Sequence, residues 1–455
     1  MSGPAMHDRL VAQSVRGRFG TMLGIGAGLL VLGLILLVRA FAGEAAGSVR
    51  AWQLFHVNWL FFTGLAFGSV AVAAAQKITN AKWSGLVVRL AEGWIAFVPV
   101  SVIGLILIFT LGYDAVYGHM HEELHGLSHG KAVWLSHGFM FGRLLVGTIV
   151  LGLVGWAMVK ADILPDAYAA RGAVTGGRRA LFERWGRGFD GADATTVAHE
   201  RRIHRLAPIY AVLYAIVMSM IAFDGIMALQ PHWFSNLLGG FYLMGSFLGG
   251  LMLLAVTLIL AGPHIGIADL ISPKQRHDLG KLCFGFTVFW AYLMWSQFLV
   301  IWYGNMPEET GFVYARLWGH WLPVGRAVFL GMFVVPFVGL LGVAPKKTRV
   351  TLGFFATVSL VALWLERYLL VMPSVTPAAG PIFGIPELGP TLAFAGLFLL
   401  TYALFARTAP MVSPRLAEIT LNRELGHHAV EVYDHEDHDA DYVHEVDIER
   451  RHGPR

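Results

Sequence analysis

Long apolar runs make up most of the chain, and short segments that hold most of the charged residues separate them. Ten of these runs are long enough to cross a bilayer as helices, because about 20 apolar residues span its hydrocarbon core. The predicted spans, numbered 1 to 10 in chain order, are residues 20–41, 54–75, 83–111, 133–158, 206–229, 238–260, 282–303, 322–343, 350–372 and 391–406. The pattern therefore predicts an all-α polytopic membrane protein.

Composition agrees with this pattern. Hydrophobic residues make up 56% of the chain, charged residues 14%, and the mean hydropathy is +0.59, which excludes an ordinary soluble domain. Span 1 is not followed by the small-residue cleavage site of a signal peptide, so we expect it to remain as a permanent helix.

The basic residues indicate how the spans are oriented. Most of the 34 lysines and arginines lie in the two terminal segments and in the loops that follow spans 2, 4, 6 and 8. The opposite loops contain Arg39, Arg50, Lys131, Arg316 and Arg326. Since basic residues concentrate on the cytoplasmic side of membrane proteins, both termini are predicted to be cytoplasmic. The net charge of +4 does not indicate nucleic-acid binding, because the basic residues lie in loops between spans.

The same pattern divides the chain into five parts. Residues 1–19 are a cytoplasmic N-terminus, residues 20–158 carry spans 1 to 4, and residues 206–406 carry spans 5 to 10. Residues 159–205 form a basic cytoplasmic loop, which either contacts anionic lipid or docks a partner subunit. Residues 407–455 are rich in acidic residues and histidine, so we expect a disordered cytoplasmic tail.

A weak internal repeat relates span 2 to span 6. Each carries an aromatic residue followed by two glycines four residues apart, Gly64 and Gly68 in span 2 and Gly245 and Gly249 in span 6. Small residues at this spacing let helices approach closely, so packing alone can explain them. The alternative is a duplication that gives two four-helix bundles, spans 2–5 and 6–9, with spans 1 and 10 at the periphery.

Ionisable residues inside the spans are the main functional signal, because a charge at membrane depth is costly and rarely kept without a role. In the first bundle, these residues and their polar neighbours are His56, Asn58, Arg89, Glu92, Asp114, His137, Arg143 and Asp224. Arg89 and Glu92 are three residues apart and share a helix face, and counting from residue 83 places Glu92 near the middle of the membrane. The candidates for a proton path from the middle of the membrane toward the periplasm are Arg89, Glu92, Asp114, His137, Arg143 and Asp224.

These residues also have a purely structural interpretation. Arg89 and Glu92 can simply neutralise each other, and Arg143 can pair with a carboxylate or with carbonyl groups, so that the bundle is held together. The second bundle offers fewer candidates. Glu366 and Arg367 are adjacent on span 9 and are expected to point in different directions, while Gln297 on span 7 is either a polar site or a helix–helix contact.

The sequence offers little for a redox metal. The one cysteine, Cys283, excludes a disulfide and a cysteine-ligated iron–sulfur cluster within this chain. His56 and His137 lie near one face of the membrane, whereas an electron path through b haems needs histidine pairs near both faces. His121 and His125, with a further histidine four residues on, have a zinc-compatible spacing, although a solvated loop is the commoner explanation. We therefore expect no metal or haem in this chain.

Span 7 lies within the most distinctive stretch of the sequence, residues 278–312. Its hydrogen-bonding side chains inside the membrane include Trp290, Tyr292, Trp295, Ser296 and Gln297. An unpaired polar group in the hydrocarbon core costs several kcal/mol, so these side chains are expected to face protein rather than lipid.

A family resemblance rests on this stretch together with residues 223–225 (Phe-Asp-Gly) and 231–235 (Pro-His-Trp-Phe-Ser). These segments resemble the second quinone-binding-type membrane subunit of alternative complex III, a member of the NrfD/PsrC-like group of integral membrane proteins. The resemblance extends over roughly residues 15–410 in the number and order of helices.

The resemblance implies a subunit of a quinol:cytochrome c oxidoreductase in the bacterial cytoplasmic membrane. It implies no cofactor in this chain beyond quinol or quinone, and three partners: a multihaem cytochrome c subunit, an iron–sulfur subunit and a sister NrfD-like membrane subunit. In this family the sister is the expected place of quinol oxidation, so this chain is expected to contribute scaffold and part of a proton path. If this chain oxidises quinol itself, His56, Asn58 and Asp224 are the candidate contacts.

A stand-alone secondary transporter is the remaining alternative. Such a protein would show broken helices at matching positions in its two halves. Pro99 in span 3 and Pro336 in span 8 are the nearest candidates, but these spans do not correspond under the predicted duplication.

Overall fold

The computed structural model describes residues 3–17, 19–43, 45–120, 128–376 and 380–424, and within them the chain is helical with no strand. Ten helices in these residues are long and apolar enough to cross a membrane, which confirms the predicted fold class. They are Gly20–Ala42, Ala45–Ile78, Val88–Thr110, His137–Ala173, Ala194–Leu229, Leu237–Ile265, Pro273–Gly304, Gly319–Leu341, Arg349–Val375 and Ile385–Thr408, and they keep the numbers 1 to 10. Shorter helices are Gly3–Ser14, Tyr113–Tyr117, His129–Trp134, Gly177–Trp185, Pro307–Leu317, Val343–Lys347 and Pro414–Glu424.

Spans 4 and 5 extend well beyond their predicted ends. Span 4 continues to Ala173 and span 5 begins at Ala194, so much of the predicted basic loop is helix. Hydropathy detects only the part of a helix that is in lipid, whereas charged helix-forming residues continue the helix into water.

Span 2 is the central helix. Its most apolar window is buried along its whole length, and it packs against spans 3, 5, 6, 9 and 10. Span 1 is mostly exposed and packs chiefly on span 10. Span 10 also contacts span 3, where Trp94 stacks on Phe398 and Tyr402 with ring centroids 4.1 Å apart in each pair.

Spans 2 and 6 meet at their glycines. A Cβ atom on Gly68 would lie 2.1 Å from the carbonyl oxygen of Ser246, and one on Gly250 would lie 2.6 Å from the carbonyl carbon of Gly68. These distances leave no room for a side chain, so Gly68 has the packing role predicted for it, and Gly250, which the predicted motif did not include, shares that role. The duplication of two four-helix bundles stays a prediction.

Two of the spans are irregular near their prolines. In span 3 the segment Gly93–Phe97 is a 3-10 helix that leads into Pro99, and in span 8 the segment Leu330–Val334 is a π-helix that leads into Pro336. A proline lacks the amide hydrogen that an α-helix needs, and local changes of helix type accommodate the loss.

Span 7 departs in part from expectation. Trp290 is buried, but Tyr292 and Trp295 are 61% and 55% exposed on the outside of the chain. The prediction that these two side chains face protein was therefore wrong within this chain. The pattern could not separate the faces of the helix, because aromatic residues occur all around it.

The two terminal segments meet at one end of the bundle. The amide of Met411 donates to the carbonyl of Ser14 at 3.1 Å, and the hydroxyl of Thr420 donates to the carbonyl of Lys82 at 2.7 Å. We call this end the terminal side and the opposite end the far side. The helix Pro414–Glu424 lies within the tail that was predicted to be disordered from residue 407; residues 425–455 lie outside the described part.

Candidate functional site

Buried charge is concentrated at the terminal side in a group that we call the terminal-side cluster. Its members come from spans 2, 3 and 4 and from the helix that follows span 10. They are Lys77, Arg89, Glu92, Asp162, Asp166 and Arg415. Three cations therefore face three carboxylates, so the group can be close to neutral as a whole.

Arg89 lies at the centre of the terminal-side cluster. Its Nη1 atom is 2.9 Å from a carboxylate oxygen of Glu92, and its Nη2 atom is 2.9 Å from Asp162 and 2.7 Å from Asp166. The guanidinium is fully buried. A planar group with five donors can serve several carboxylates at once, which lysine could not do in the same geometry.

Asp162 contacts all three cations of the cluster. Its carboxylate lies 2.7 Å from Lys77 Nζ, 2.9 Å from Arg89 Nη2 and 3.4 Å from Arg415 Nη2. Arg415 also pairs with Glu200 on span 5. Burial lowers the pKa of the Arg415 guanidinium, but Asp166, Asp162 and Glu200 outweigh this effect and raise it above its ordinary value. Arg415 therefore stays charged.

Sequence reasoning found Arg89 and Glu92 but missed the other four members. Asp162 and Asp166 follow the apolar run of span 4, in residues that the sequence predicts to be a loop. Their spacing of four residues, which places both carboxylates on one face of a helix, was the available signal.

The predicted depth of Glu92 was wrong. Residues 79–87 form turns and the helix of span 3 starts at Val88, so Glu92 is only four residues, about 6 Å, from the helix start. Its carboxylate lies 3.7 Å from Lys77 near the end of span 2. Glu92 is thus close to the terminal side rather than at the middle of the membrane.

A second group of polar residues lies at the far side. Arg143 donates two hydrogen bonds to the carboxylate of Asp224, from Nε at 2.7 Å and from Nη2 at 2.5 Å. Its Nη1 donates to the carbonyl of Trp134 at 2.7 Å, and the guanidinium lies 4.0 Å from the centre of that indole ring. The carboxylate of Asp224 is fully buried, so Arg143 supplies the counter-charge that makes its ionised form tolerable.

His56 and Tyr117 complete the far-side group around the backbone of residues 224 and 225. The phenol of Tyr117 donates to the carbonyl of Asp224 at 3.1 Å, and His56 Nε2 lies 2.7 Å from the carbonyl oxygen of Gly225. Burial raises the pKa of the Tyr117 phenol well above its ordinary value, and the charge of Asp224 raises it further, so this phenol acts as a hydrogen-bond donor. His56 Nδ1 has no hydrogen-bond partner among the described residues.

The other far-side candidates are less closely associated. His137 Nε2 lies 2.9 Å from the carbonyl oxygen of Phe109, and its ring stacks on Tyr113 with centroids 4.0 Å apart. Asp114 is exposed. Asn58 lies two residues after His56 and faces another direction, where it accepts a hydrogen bond from Trp364 at 2.9 Å.

The two groups lie on opposite sides of the protein. His56 and Lys77 are 21 residues apart on span 2, a rise of about 30 Å. No chain of hydrogen-bonded side chains joins the groups in the described part of the protein. The structure therefore does not bring Glu92 together with His137 and Asp114.

The ionisable residues of span 9 form a pair of their own. The prediction that Glu366 and Arg367 point apart was wrong, because Arg367 Nη1 lies 2.9 Å from a Glu366 carboxylate oxygen and both side chains are buried. The indole of Trp290 donates to Glu366 at 3.4 Å, and the Arg367 guanidinium lies 4.2 Å from the centre of the Tyr242 ring. Gln297 is half-buried on span 7.

Among the described residues, no group of three or more histidine, cysteine or acidic side chains is arranged to hold a metal ion. His121 and His125, from the tract with zinc-compatible spacing, lie outside the described residues.

No protein-family model matches the chain, and no curated protein matches its sequence.

Proposed function

We propose that this protein is a membrane subunit of a quinol:cytochrome c oxidoreductase of the alternative complex III type, in which it provides scaffold and part of a proton path. The observation that carries the proposal is the terminal-side cluster, where the fully buried carboxylate of Glu92 lies 3.7 Å from Nζ of Lys77, a partly exposed cation. The resemblance of residues 223–312 to the NrfD/PsrC-like group is the reason for proposing this particular complex. The proposed location is the bacterial cytoplasmic membrane.

The terminal-side cluster has the features of an entry point for protons. The side chains of Lys77 and Arg415 are 11% and 24% exposed, while Glu92 is fully buried. Water can therefore reach the rim of the cluster. From there a proton can pass to the carboxylate of Glu92, which lies between the cations Arg89 and Lys77. Arg89 and Lys77 favour the ionised form of Glu92 and burial opposes it, a balance suited to a group that gains and loses a proton.

The far-side group is the proposed exit. Asp224, held by Arg143, is the carboxylate of this group, and His137 lies toward the same side. Crossing the interior between the two groups requires water or a change of conformation, since about 30 Å separates them along span 2.

The partners belong to the same proposal. They are a multihaem cytochrome c subunit, an iron–sulfur subunit and a sister NrfD-like membrane subunit, together with membrane lipids. The sister is the proposed place of quinol oxidation.

The substitution Glu92→Gln tests the proton role, because it keeps shape and hydrogen bonding but removes titration. The variant complex is expected to assemble normally and to lose turnover, or coupled proton movement in vesicles, by roughly tenfold or more. Glu183→Gln is the matched control, since Glu183 is exposed and pairs with Arg179 on a helix of the terminal side. Wild-type turnover and proton movement in Glu92→Gln would reduce Glu92 to a structural partner of Arg89.

A second candidate function is quinol oxidation by this chain. The observation that favours it is the unpartnered Nδ1 atom of the buried His56, beside the ring of Tyr117 with centroids 5.7 Å apart. A quinol hydroxyl could donate to that nitrogen and lose its proton there. Photolabelling of the complex with a quinone analogue distinguishes the two proposals: label on span 2 of this chain, lost in His56→Phe, supports the second, and label confined to the sister subunit excludes it.

A further inference from the structure

A groove separate from both groups of buried charge opens at the terminal side between spans 6, 7 and 9. It is a shallow depression that is open to the outside. Its apolar wall is formed by Leu258, Ile259, Pro263 and Ile271, and its rim carries Arg276 and Arg349. The nearby loop after span 6 is held to the terminal side by a hydrogen bond from Gln13 to the carbonyl of Gly266 at 3.0 Å.

The two arginines of the rim are fixed by backbone carbonyl groups. Arg276 donates from Nε to the carbonyl of Lys347 and from Nη1 to the carbonyl of Ile271, each at 2.7 Å, and Arg349 donates from Nη2 to the carbonyl of Ala268. In the described part of the chain, neither guanidinium pairs with a carboxylate. The two charges are close enough to repel each other. Two cations without a paired carboxylate among the described residues are thus held at the groove by backbone carbonyl groups.

The surroundings of the groove increase its positive potential. Spans 7 and 9 both begin here, at Pro273 and Arg349, so the positive ends of two helix dipoles lie at this surface. Lys274 and Lys347 are exposed close by. An anion at the groove would therefore interact favourably with side chains and with the helix ends.

Next to the groove, spans 6 and 9 carry an apolar outer surface. Leu260, Val350 and Phe354 are 66%, 77% and 58% exposed on spans 6 and 9. The two helices touch closely at this level, because a Cβ atom on Gly353 would lie 2.9 Å from the Ile259 side chain. A ligand with a charged head and an apolar tail would match both parts of this surface.

We propose that the groove binds an anionic glycerophospholipid, with its phosphate between Arg276 and Arg349 and an acyl chain along Leu260, Val350 and Phe354. The charge complementarity favours this occupant over a zwitterionic lipid, whose own cation would meet the arginines. A free phosphate ion would satisfy the arginines but leave the apolar part of the groove unused. The site is independent of the proposed function.

The test uses the full-length protein in a mild detergent, depleted of lipid and titrated with phosphatidylglycerol or with phosphatidylcholine of the same acyl chains. Bound lipid is counted by native mass spectrometry, and thermal stabilisation is measured in parallel. Wild type is expected to prefer phosphatidylglycerol. The double substitution Arg276→Gln with Arg349→Gln is expected to weaken its binding by roughly tenfold to thirtyfold, since each basic residue near a membrane surface contributes substantially to anionic-lipid affinity.

Two matched variants control for charge and folding. Arg39→Gln with Arg326→Gln removes two exposed cations at the far side and should leave the affinity unchanged. Arg276→Lys with Arg349→Lys keeps the charges and should retain most of the preference. If the double glutamine variant does not fold, the single variant Arg349→Gln is used in its place. Its affinity for phosphatidylglycerol must then fall by at least about threefold for the proposal to stand.

Three outcomes would overturn the proposal. The first is equal binding of phosphatidylglycerol and phosphatidylcholine, and the second is wild-type affinity in a folded glutamine variant. The third is displacement of the lipid by millimolar inorganic phosphate, which would identify the site as one for a free anion rather than for a lipid headgroup.

Discussion

Arg143 and Asp224 join spans 4 and 5 through two parallel hydrogen bonds, at 2.7 Å and 2.5 Å. Such a bidentate pair fixes the relative position of two helices more firmly than a single contact. The Asp224 carboxylate is fully buried, whereas the Arg143 side chain is 12% exposed. Without its partner, an ionised Asp224 would have neither counter-charge nor water, while Arg143 would still reach water.

Asp224→Asn is therefore expected to destabilise the protein by about 3 kcal/mol, near the lower limit for breaking a buried pair, because Arg143 keeps partial access to water and its contact with Trp134. The measurement is the free energy of unfolding in mild detergent. The double variant Arg143→Gln with Asp224→Asn should cost less than the sum of the single variants, as expected for residues in contact.

The exposed pair of Arg179 and Glu183 is the control for this experiment, with side chains 62% and 51% exposed. Arg179→Gln should change the stability by less than about 1 kcal/mol. A similar small cost for Asp224→Asn would show that the far-side pair does not hold spans 4 and 5 together.

Asp162→Asn is expected to be the most damaging loss of a carboxylate in the terminal-side cluster. Asp162 is the carboxylate that contacts Lys77, Arg89 and Arg415, so its loss leaves three cations with too little negative charge. We expect a cost of about 3 to 5 kcal/mol in unfolding free energy, and a smaller cost for Asp166→Asn, whose closest cation is Arg89 at 2.7 Å. The reverse order would show that the cluster is organised around Asp166.

The number of spans could be predicted from sequence because a long apolar run is a local property of the chain. The terminal-side cluster could not, because Lys77, Asp162 and Arg415 lie far apart in sequence and outside the windows that hydropathy selects. Arg89 and Glu92 were found because their contact is made within one helix. The pairing of Arg143 with Asp224 could not be predicted, because it forms only when span 4 packs against span 5. No local pattern specifies that packing.

Arg367→Met tests the buried pair of span 9. The variant leaves Glu366 without its cation in the protein interior, with only Trp290 as a hydrogen-bond donor among the described residues, and we expect a loss of about 3 kcal/mol or more. Adding Glu366→Gln to Arg367→Met should recover part of that loss, because it removes the unpaired charge. No recovery in the double variant, as read from the unfolding free energy, would place the role of Arg367 in its contact with Tyr242 instead.

Gly68→Ala tests the close contact between spans 2 and 6. The added Cβ atom would lie 2.1 Å from the carbonyl oxygen of Ser246, which belongs to the backbone and cannot turn away. The helices must therefore separate, and we expect a cost of about 1 to 3 kcal/mol, typical of an overpacked core. Gly24→Ala on span 1 is the matched control, since nothing lies within 4 Å of its added Cβ atom, and it should be neutral or slightly stabilising. Equal stability of the two variants would mean that spans 2 and 6 are not in close contact at Gly68.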